Sequence, residues 1–272
     1  MMRSLWTAAS GMIAQQTSVD TISNNLANVN TTGYKTQTAE FKTLLYQDLQ
    51  TKTTTANGEN KPIPAEVGLG VRNSSITTHF TQGAFVQSAS ETAFAISGDG
   101  FFAVQGIDGE TYYTRNGDFT YAVGTQGMML TTSEGFPVLD TTGKAIVFDT
   151  AQYDMSKVKA SSDGSFGYLD ESGNYVDIGI RIGLFQFNNP AGLNKMGGSL
   201  YAETAASGQA INESVSDTVK TSSIKNGYLE GSNVQVADEM VNLIVAQRAY
   251  EMNSKAIQAA DDMLGQANQL RR

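Results

Sequence analysis

Five groups of residues in this chain have the types and spacing that chemistry would need. His79 is the only histidine, and the chain has no cysteine. A lone imidazole cannot complete a histidine-based metal site or support a Ser-His-Asp arrangement, so His79 is expected to be an ordinary strand or loop residue. Gly98-Asp99-Gly100-Phe101-Phe102-Ala103 matches a dinucleotide fingerprint letter by letter. The residues after it read as another strand, so no helix N-terminus would meet the phosphates, and a hairpin turn is expected instead. Asp99, Asp108 and Asp118 are conceivable as a calcium or glycosidase carboxylate set, but each sits beside a glycine and reads as a turn residue of successive hairpins. Asn24, Asn25 and Asn28 carry amides near the end of a helical pattern. Asn24 and Asn28 share a helix face, where amides can fix register between packed helices; asparagine also helps terminate a helix, and both readings stand. Arg248, Glu251 and Lys255 have the spacing of ion pairs on a helix surface. No catalytic residue, cofactor or metal site is expected.

The elements that would carry these residues lie at the two ends of the chain. Leu5, Ala8, Met12, Gln15, Val19, Ile22, Leu26 and Val29 recur in steps of three and four, the spacing of a helix packed along a seam. Leu243, Ala246, Tyr250, Asn253, Ile257, Ala260, Leu264 and Ala267 repeat the pattern at the other end, with Val236 and Met240 widening the stripe. The first helix is expected over residues 4–29 and stops at Thr31-Thr32-Gly33. The last is expected to start near Asn233 as N-cap, with Asp238 and Glu239 in its first turns, and to end in Arg271-Arg272, a polarity that suits the helix dipole. Only Arg3 and Asp20 are charged between Met1 and Gly33. A helix with one solvated face would carry more Lys and Glu, so this one is expected to be covered on more than one side.

Composition agrees. Of 272 residues, 40 % are hydrophobic, enough for a core, and only 17 % are charged, below the roughly 25 % of an average soluble domain. A net charge of −9 with no basic cluster beyond Arg271 and Arg272 argues against nucleic acid or an anionic membrane as partner. The start of the chain lacks the unbroken apolar run and small-residue cleavage site of a signal peptide. No run of about 18 apolar residues suggests a transmembrane helix.

Between the helical ends the pattern changes twice. Residues 35–70 hold a polar Thr/Asn/Gly tract and Lys61-Pro62-Ile63-Pro64, which read as a long extended arm with too little apolar surface for a core of its own. From Val71 to Tyr201 the period becomes two. Short aromatic and β-branched runs alternate with turn signals at Gly98-Asp99-Gly100, Asp108-Gly109, Asn116-Gly117, Glu134-Gly135 and Thr142-Gly143, with one longer strand over 176–187. Asn116-Gly117, between Tyr112-Tyr113 and Phe119, is the clearest hairpin signal.

The fold class expected is therefore α+β: N- and C-terminal helices pairing as a coiled coil, an inserted antiparallel β domain of sandwich or barrel type, and a long extended arm. The expected division is residues 1–34 plus 230–272 for the helical domain, 35–70 plus 205–229 for the extended connecting region, and 71–204 for the β domain.

Three sets of motifs also carry a family resemblance. Ile22-Ser23-Asn24-Asn25-Leu26-Ala27-Asn28-Val29-Asn30-Thr31-Thr32-Gly33-Tyr34-Lys35 resembles the N-terminal signature of the bacterial flagellar rod and hook proteins. Ile96 to Val104 and Tyr113-Thr114-Arg115-Asn116-Gly117-Asp118-Phe119 resemble their β-domain motifs. Glu230-Gly231-Ser232-Asn233-Val234 and Gln247 to Lys255 resemble their C-terminal motif. Residues 140–180 match only loosely. The resemblance implies a non-enzymatic subunit that leaves the cell through the flagellar export apparatus without a cleaved signal and is located in the basal body. It implies contacts with copies of itself in a helical tube, with proximal rod and hook proteins and with surrounding ring proteins, and no small-molecule substrate or nucleic acid. Self-assembly residues would be Leu5, Ala8, Met12, Val19, Ile22, Asn24, Asn25, Leu26, Asn28 and Val29 on the first helix and Met240, Leu243, Tyr250, Ile257 and Leu264 on the last.

Overall fold

A single helix, α1, spans Met2–Ala27 and ends just before Thr31-Thr32-Gly33, where Gly33 takes the left-handed conformation (φ 69°). The last helix, α2, spans Val236–Gln269, with Asp238 and Glu239 in its first turn. Between them the chain is β-rich, which makes the class α+β. The computed structural model describes residues 2–50, 65–124, 127–149, 158–169, 175–216 and 219–270. The central part of the arm, residues 51–64, and the Arg271-Arg272 end lie outside the described residues.

The chain divides into two units: Met1–Ala27, Gln37–Thr78 and Gln235–Arg272 form one, and Asn28–Thr36 with His79–Val234 the other. In the first unit α1 packs on α2 and also on two strands, β1 (Gln37–Thr43) and β4 (Val71–Thr78), which pair antiparallel. Strands β2 (Tyr46–Gln50) and β3 (Ala65–Gly68) pair in the same sense. The described parts of the segment read as a long extended arm are thus strands, β1 paired with β4 and β2 with β3. They bury no core of their own, as their composition requires, but the ladders satisfy their backbone donors and acceptors. Val71–Thr78, assigned by its period to the β domain, belongs here with β1.

The extra packing on α1 rotates its buried face. Ala8, Ala14, Thr21, Ile22 and Asn25 are buried, whereas Leu5, Met12, Val19 and Leu26 of the expected seam are only half-buried. Small residues on this face allow close approach: a Cβ on Gly11 would lie 2.8 Å from the Asn253 side chain of α2. On α2 the expected stripe faces inward along Leu243, Ala246, Asn253, Ile257, Ala260 and Leu264, all buried or half-buried, while Tyr250 lies at its exposed edge.

The second unit is built around a six-stranded sheet containing β7 (Phe101–Gln105) and β8 (Thr111–Thr114) at its centre. The alternation of β7 splits its side chains between two cores: Phe102 and Val104 enter one cluster with Phe94, Phe119, Leu130 and Phe148, and Phe101 and Ala103 enter another with Tyr113, Phe187 and Tyr201. Burial of both faces explains why the run Phe101-Phe102-Ala103-Val104 is apolar without interruption. Asp108-Gly109 makes the β7–β8 hairpin turn as expected, with Gly109 at φ 79°.

Other turn signals turn out differently. Strand β8 pairs with β7 and with Leu200–Ala202, while β9 (Phe119–Gly124) pairs with β10 (Gly127–Thr132), so Asn116-Gly117 is a crossing between sheets and no hairpin. Gly117 makes this possible, since a Cβ there would overlap the carbonyl of Phe94. Gly98-Asp99-Gly100 is likewise a crossing: the strand before it, Phe94–Ser97, pairs with Ser223–Asn226 and not with β7. The long strand read over 176–187 divides into Tyr175–Arg181 and Leu184–Gln186, in different sheets, with Gly183 pressed against the Asp140 backbone at the break. Residues 205–229, read as connecting chain, supply Ile211–Asn212, Ser223–Asn226 and part of Tyr228–Glu230 to sheets of this unit.

Tyr113, Tyr121 and Tyr201 sit in or against these cores, and burial raises each phenol from its ordinary 10 to about 12, with nearby Glu203 and Glu91 adding to the shift of the first two. The folded state therefore holds protons that the unfolded chain releases above pH 10, and stability falls between pH 10 and about 12. Alkaline titration should show the late phenol ionisations at 295 nm coinciding with loss of the β-sheet circular dichroism. Ionisation of every tyrosine with the spectrum intact would contradict this.

Candidate functional site

Three of the motif segments meet inside the second unit, around one carboxylate. Glu230, at the end of the strand Tyr228–Glu230, accepts from Lys35 Nζ at 2.6 Å and from the Gly83 amide at 2.9 Å on Oε1, and from Arg115 Nη1 at 3.3 Å on Oε2. All three side chains are at most 1 % exposed. Lys35 also donates to the Thr81 carbonyl at 2.8 Å, and Arg115 Nη2 to the Gly98 carbonyl at 2.8 Å, while its guanidinium lies 5.1 Å from the centre of the Phe101 ring. Arg115 Nε has no partner. Two cations share one anion, so the carbonyls and the ring face hold the surplus positive charge. Burial lowers the Lys35 pKa from its usual 10.5, the Glu230 carboxylate opposes that shift, and Arg115 adds to it.

Around the charges the backbone is drawn tight. The Gly33 amide donates to the Glu230 carbonyl at 2.8 Å, and a Cβ on Gly33 would lie 2.7 Å from the Arg115 and Asn116 backbone. Thr32 donates to Asn116 Oδ1 at 2.9 Å, which also accepts from the Asp118 amide and shapes the crossing between sheets. Asn233, expected as an N-cap, is used here: Oδ1 accepts from the Thr36 amide and hydroxyl at 2.7 and 2.6 Å, and Nδ2 donates to His79 and Thr81. Helix α2 instead starts from Gln235, with no side-chain cap. The His79 amide donates to Thr36, closing the ring of bonds.

This cluster is a clasp. The chain leaves or re-enters the second unit at Asn28, Thr36, His79 and Val234, and the segments holding the last three are pinned together by Asn233, Lys35 and Glu230. It offers no route to catalysis, since its charged groups are closed to any substrate. Among the described residues no group of three metal-binding side chains comes together. Residue types and spacing mark none of Lys35, Arg115, Glu230 or Asn233 as a site residue, although each lies in one of the motifs that carry the family resemblance. The available signal for Lys35 and Glu230 was a single charged residue in an otherwise uncharged motif; Arg115 shares its motif with Asp118 and had none.

The residues assigned to self-assembly fall into three classes. Ala8, Ile22 and Asn25 are buried; Leu5, Met12, Val19, Leu26, Asn28, Val29, Leu243, Ile257 and Leu264 are half-buried; Asn24, Met240 and Tyr250 are exposed. Asn25 is spent within the chain: its Nδ2 donates to the Gln37 carbonyl at 2.8 Å and its Oδ1 accepts the Gln37 amide at 3.0 Å, which fixes the start of β1 beside α1. At 1 % exposure it is closed to other molecules, which corrects its assignment to an interface between subunits. Asn28 accepts from the Thr31 hydroxyl at 3.1 Å, the bond of a helix-terminating turn. Arg248 and Glu251 pair at 3.2 Å on the α2 surface.

Other apolar residues of the two helices are exposed, among them Val236 and Met240, which the spacing assigns to the widened start of the inward stripe. Val236, Met240, Val241, Ile244, Val245, Met252 and Met263 of α2 are 40–65 % exposed, with Val241 and Ile244 turned furthest from the stripe that includes Ala246 and Ala260. On α1, Trp6 is 74 % and Ile13 67 % exposed. A helix apolar on both faces is characteristic of one that is buried on both.

Residues 5–35 match the family model described as Flagella basal body rod protein, residues 95–168 the Flagellar hook protein FlgE/F/G D1 domain, and residues 225–270 the Flagellar basal body rod FlgEFG protein C-terminal. Proteins named flagellar basal-body rod protein FlgG are similar over the whole length: that of Borreliella burgdorferi is 43 % identical and that of Bacillus subtilis 37 %, each with 100 % of both chains covered. That of Agrobacterium fabrum is 38 % identical over 96 % of this chain and 97 % of its own. Three family models on the N-terminal helix, the β unit and the C-terminal helix, together with relatives alike from end to end, show that this chain belongs to the flagellar basal-body rod protein family.

Proposed function

We propose that this chain is a structural subunit of the flagellar distal rod, polymerising helically into the hollow shaft that transmits torque from motor to hook. The observation that carries the reading is the two-sided apolar character of α2. Each half-exposed Val, Ile or Met on its outer face gains on the order of 1 kcal/mol when a neighbouring copy covers the rest of its surface, and repetition around a tube multiplies the gain.

In this reading the terminal helices form a coiled-coil inner layer, with Leu5, Ala8, Met12, Val19, Ile22, Leu26, Val29, Leu243, Ile257 and Leu264 in or beside the seam and Asn24, Met240 and Tyr250 toward neighbouring copies. The β unit forms the outer layer, and the arm around residues 46–65 locks adjoining subunits. The subunit has no catalytic role, reaches the basal body through the flagellar export apparatus without a cleaved signal, and meets proximal rod, hook and ring proteins there. Electron microscopy of the purified full chain is expected to show hollow helical tubes above a critical concentration. Discrete dimers or trimers with stalks would overturn the reading in favour of a stalked adhesin.

A further inference from the structure

In the first unit, β1 and β2 run against β4 and β3 as one ribbon, and its charges are placed where they repel. Lys42 lies opposite Arg72, and Asp48 opposite Glu66. Among the paired strands of the described residues these are the only two rungs that set one charged side chain against another, and in both the signs are alike. Like charges directly opposite each other weaken an antiparallel pair. All four side chains are exposed, and none has an ion pair or a side-chain hydrogen bond among the described residues. Charges scattered along the ribbon would keep its open edges from joining other strands equally well, without that cost.

The two rungs are opposite in sign and held at a fixed spacing. Both strands advance six residues between them in one register, which the bonds from the Leu44 amide to Gly70 and from the Leu69 amide to Leu45 carry across the middle. Period two therefore puts both rungs on one face of the ladder, roughly 20 Å apart. At that distance in water, with a screening length of about 8–10 Å, they cannot neutralise each other within one chain. Between them on this face stand Leu44 and Tyr46, and Tyr46 is 60 % exposed. A lone surface charge could answer only half of a rung, whereas the rung of opposite sign answers both charges at the separation the ladder itself sets. We infer that the ribbon lies against the ribbon of a second copy, pointing the same way and shifted by six residues, so that the basic rung of one copy meets the acidic rung of the next. Each copy turns its basic rung to one neighbour and its acidic rung to the other. The contact is therefore heterologous and propagates as an open row, as a helical tube requires; a two-fold arrangement would satisfy both rungs on one partner and close a dimer.

This inference deepens the self-assembly reading and rests on it, and the test separates the two. The critical concentration for polymerisation of the full chain is measured at low ionic strength for four proteins. They are the unaltered chain, a basic-rung reversal (Lys42→Glu with Arg72→Glu), an acidic-rung reversal (Asp48→Lys with Glu66→Lys), and the chain carrying all four substitutions. Each reversal keeps like charge opposite like, so the free chain should fold as before, which circular dichroism of the unassembled proteins checks. A reversal of one rung leaves a ribbon of a single sign and is expected to raise the critical concentration by about tenfold or more. The fourfold variant, with its signs exchanged, should return close to the unaltered value, and the two reversals should polymerise when mixed although neither does so alone. An unaltered protein that forms no tubes would sink the assembly reading itself. Tubes from either reversal at the normal critical concentration would overturn the rungs as a contact. Failure of both the fourfold variant and the mixture to recover would overturn the pairing of rung with rung.

Discussion

Replacing Glu230 with alanine is expected to destabilise the β unit by about 3–5 kcal/mol, because it leaves two buried cations with no counter-charge. Lys35 and Arg115 are at most 1 % exposed, so neither can turn to water without opening the segment that holds it. The Gly83 amide loses its acceptor in the same step. Set against a typical domain stability of about 5–15 kcal/mol, this is a large fraction. It should appear as a marked drop in the urea midpoint of the β-sheet signal, while Arg248→Ala, which removes an exposed pair on α2, changes the midpoint little. The clasp account fails if Glu230→Ala unfolds at the same denaturant concentration as the unaltered chain. A loss of stability there has a consequence for the proposed shaft, since the pinned segments are those through which the chain passes to β1, from β4 and to α2.

The second large effect is expected on assembly with folding preserved. Val241 is 60 % and Ile244 56 % exposed on the outer face of α2, so the double substitution Val241→Asp with Ile244→Asp should alter the stability of the unassembled chain only slightly. In a tube that covers this face, each aspartate becomes an unpaired buried charge, which costs several kcal/mol per subunit. Tubes should therefore be absent at concentrations where the unaltered chain polymerises fully, with the thermal transition of the monomer unchanged. Polymerisation by the double variant at the ordinary concentration would show that this face stays in water, and would remove the main support for the proposed function.

The parts of the architecture legible in the residues are those set by near neighbours. Both helices, the β7–β8 hairpin at Asp108-Gly109 and the inward stripe of α2 arise from periodicities and turn residues that act within about a dozen positions. On α1 the apolar period covers a narrower face than the one that is buried. Its period says that one side is apolar; it does not say that β1 and β4 arrive beside α2 and draw Ala14, Thr21 and Asn25 inward. Asn116-Gly117 shows the same limit in a turn. Its residues specify a tight reversal, but which strand the next one joins depends on partners elsewhere, and β9 finds β10.

By itself the sequence determined the main kinds of element, their order and the character of the molecule: few charges, and apolar stripes at both ends. Tertiary structure alone decided where its scarce charges go. Lys35, Arg115 and Glu230 are separated by 80 residues or more and meet at 2.6 and 3.3 Å, while Asn233 bonds to Thr36, 197 positions away, in place of capping the helix beside it. The physical reason is that a buried charge or amide takes the partner that replaces its lost water, and such partners are selected by packing in space, on which spacing along the chain carries no information.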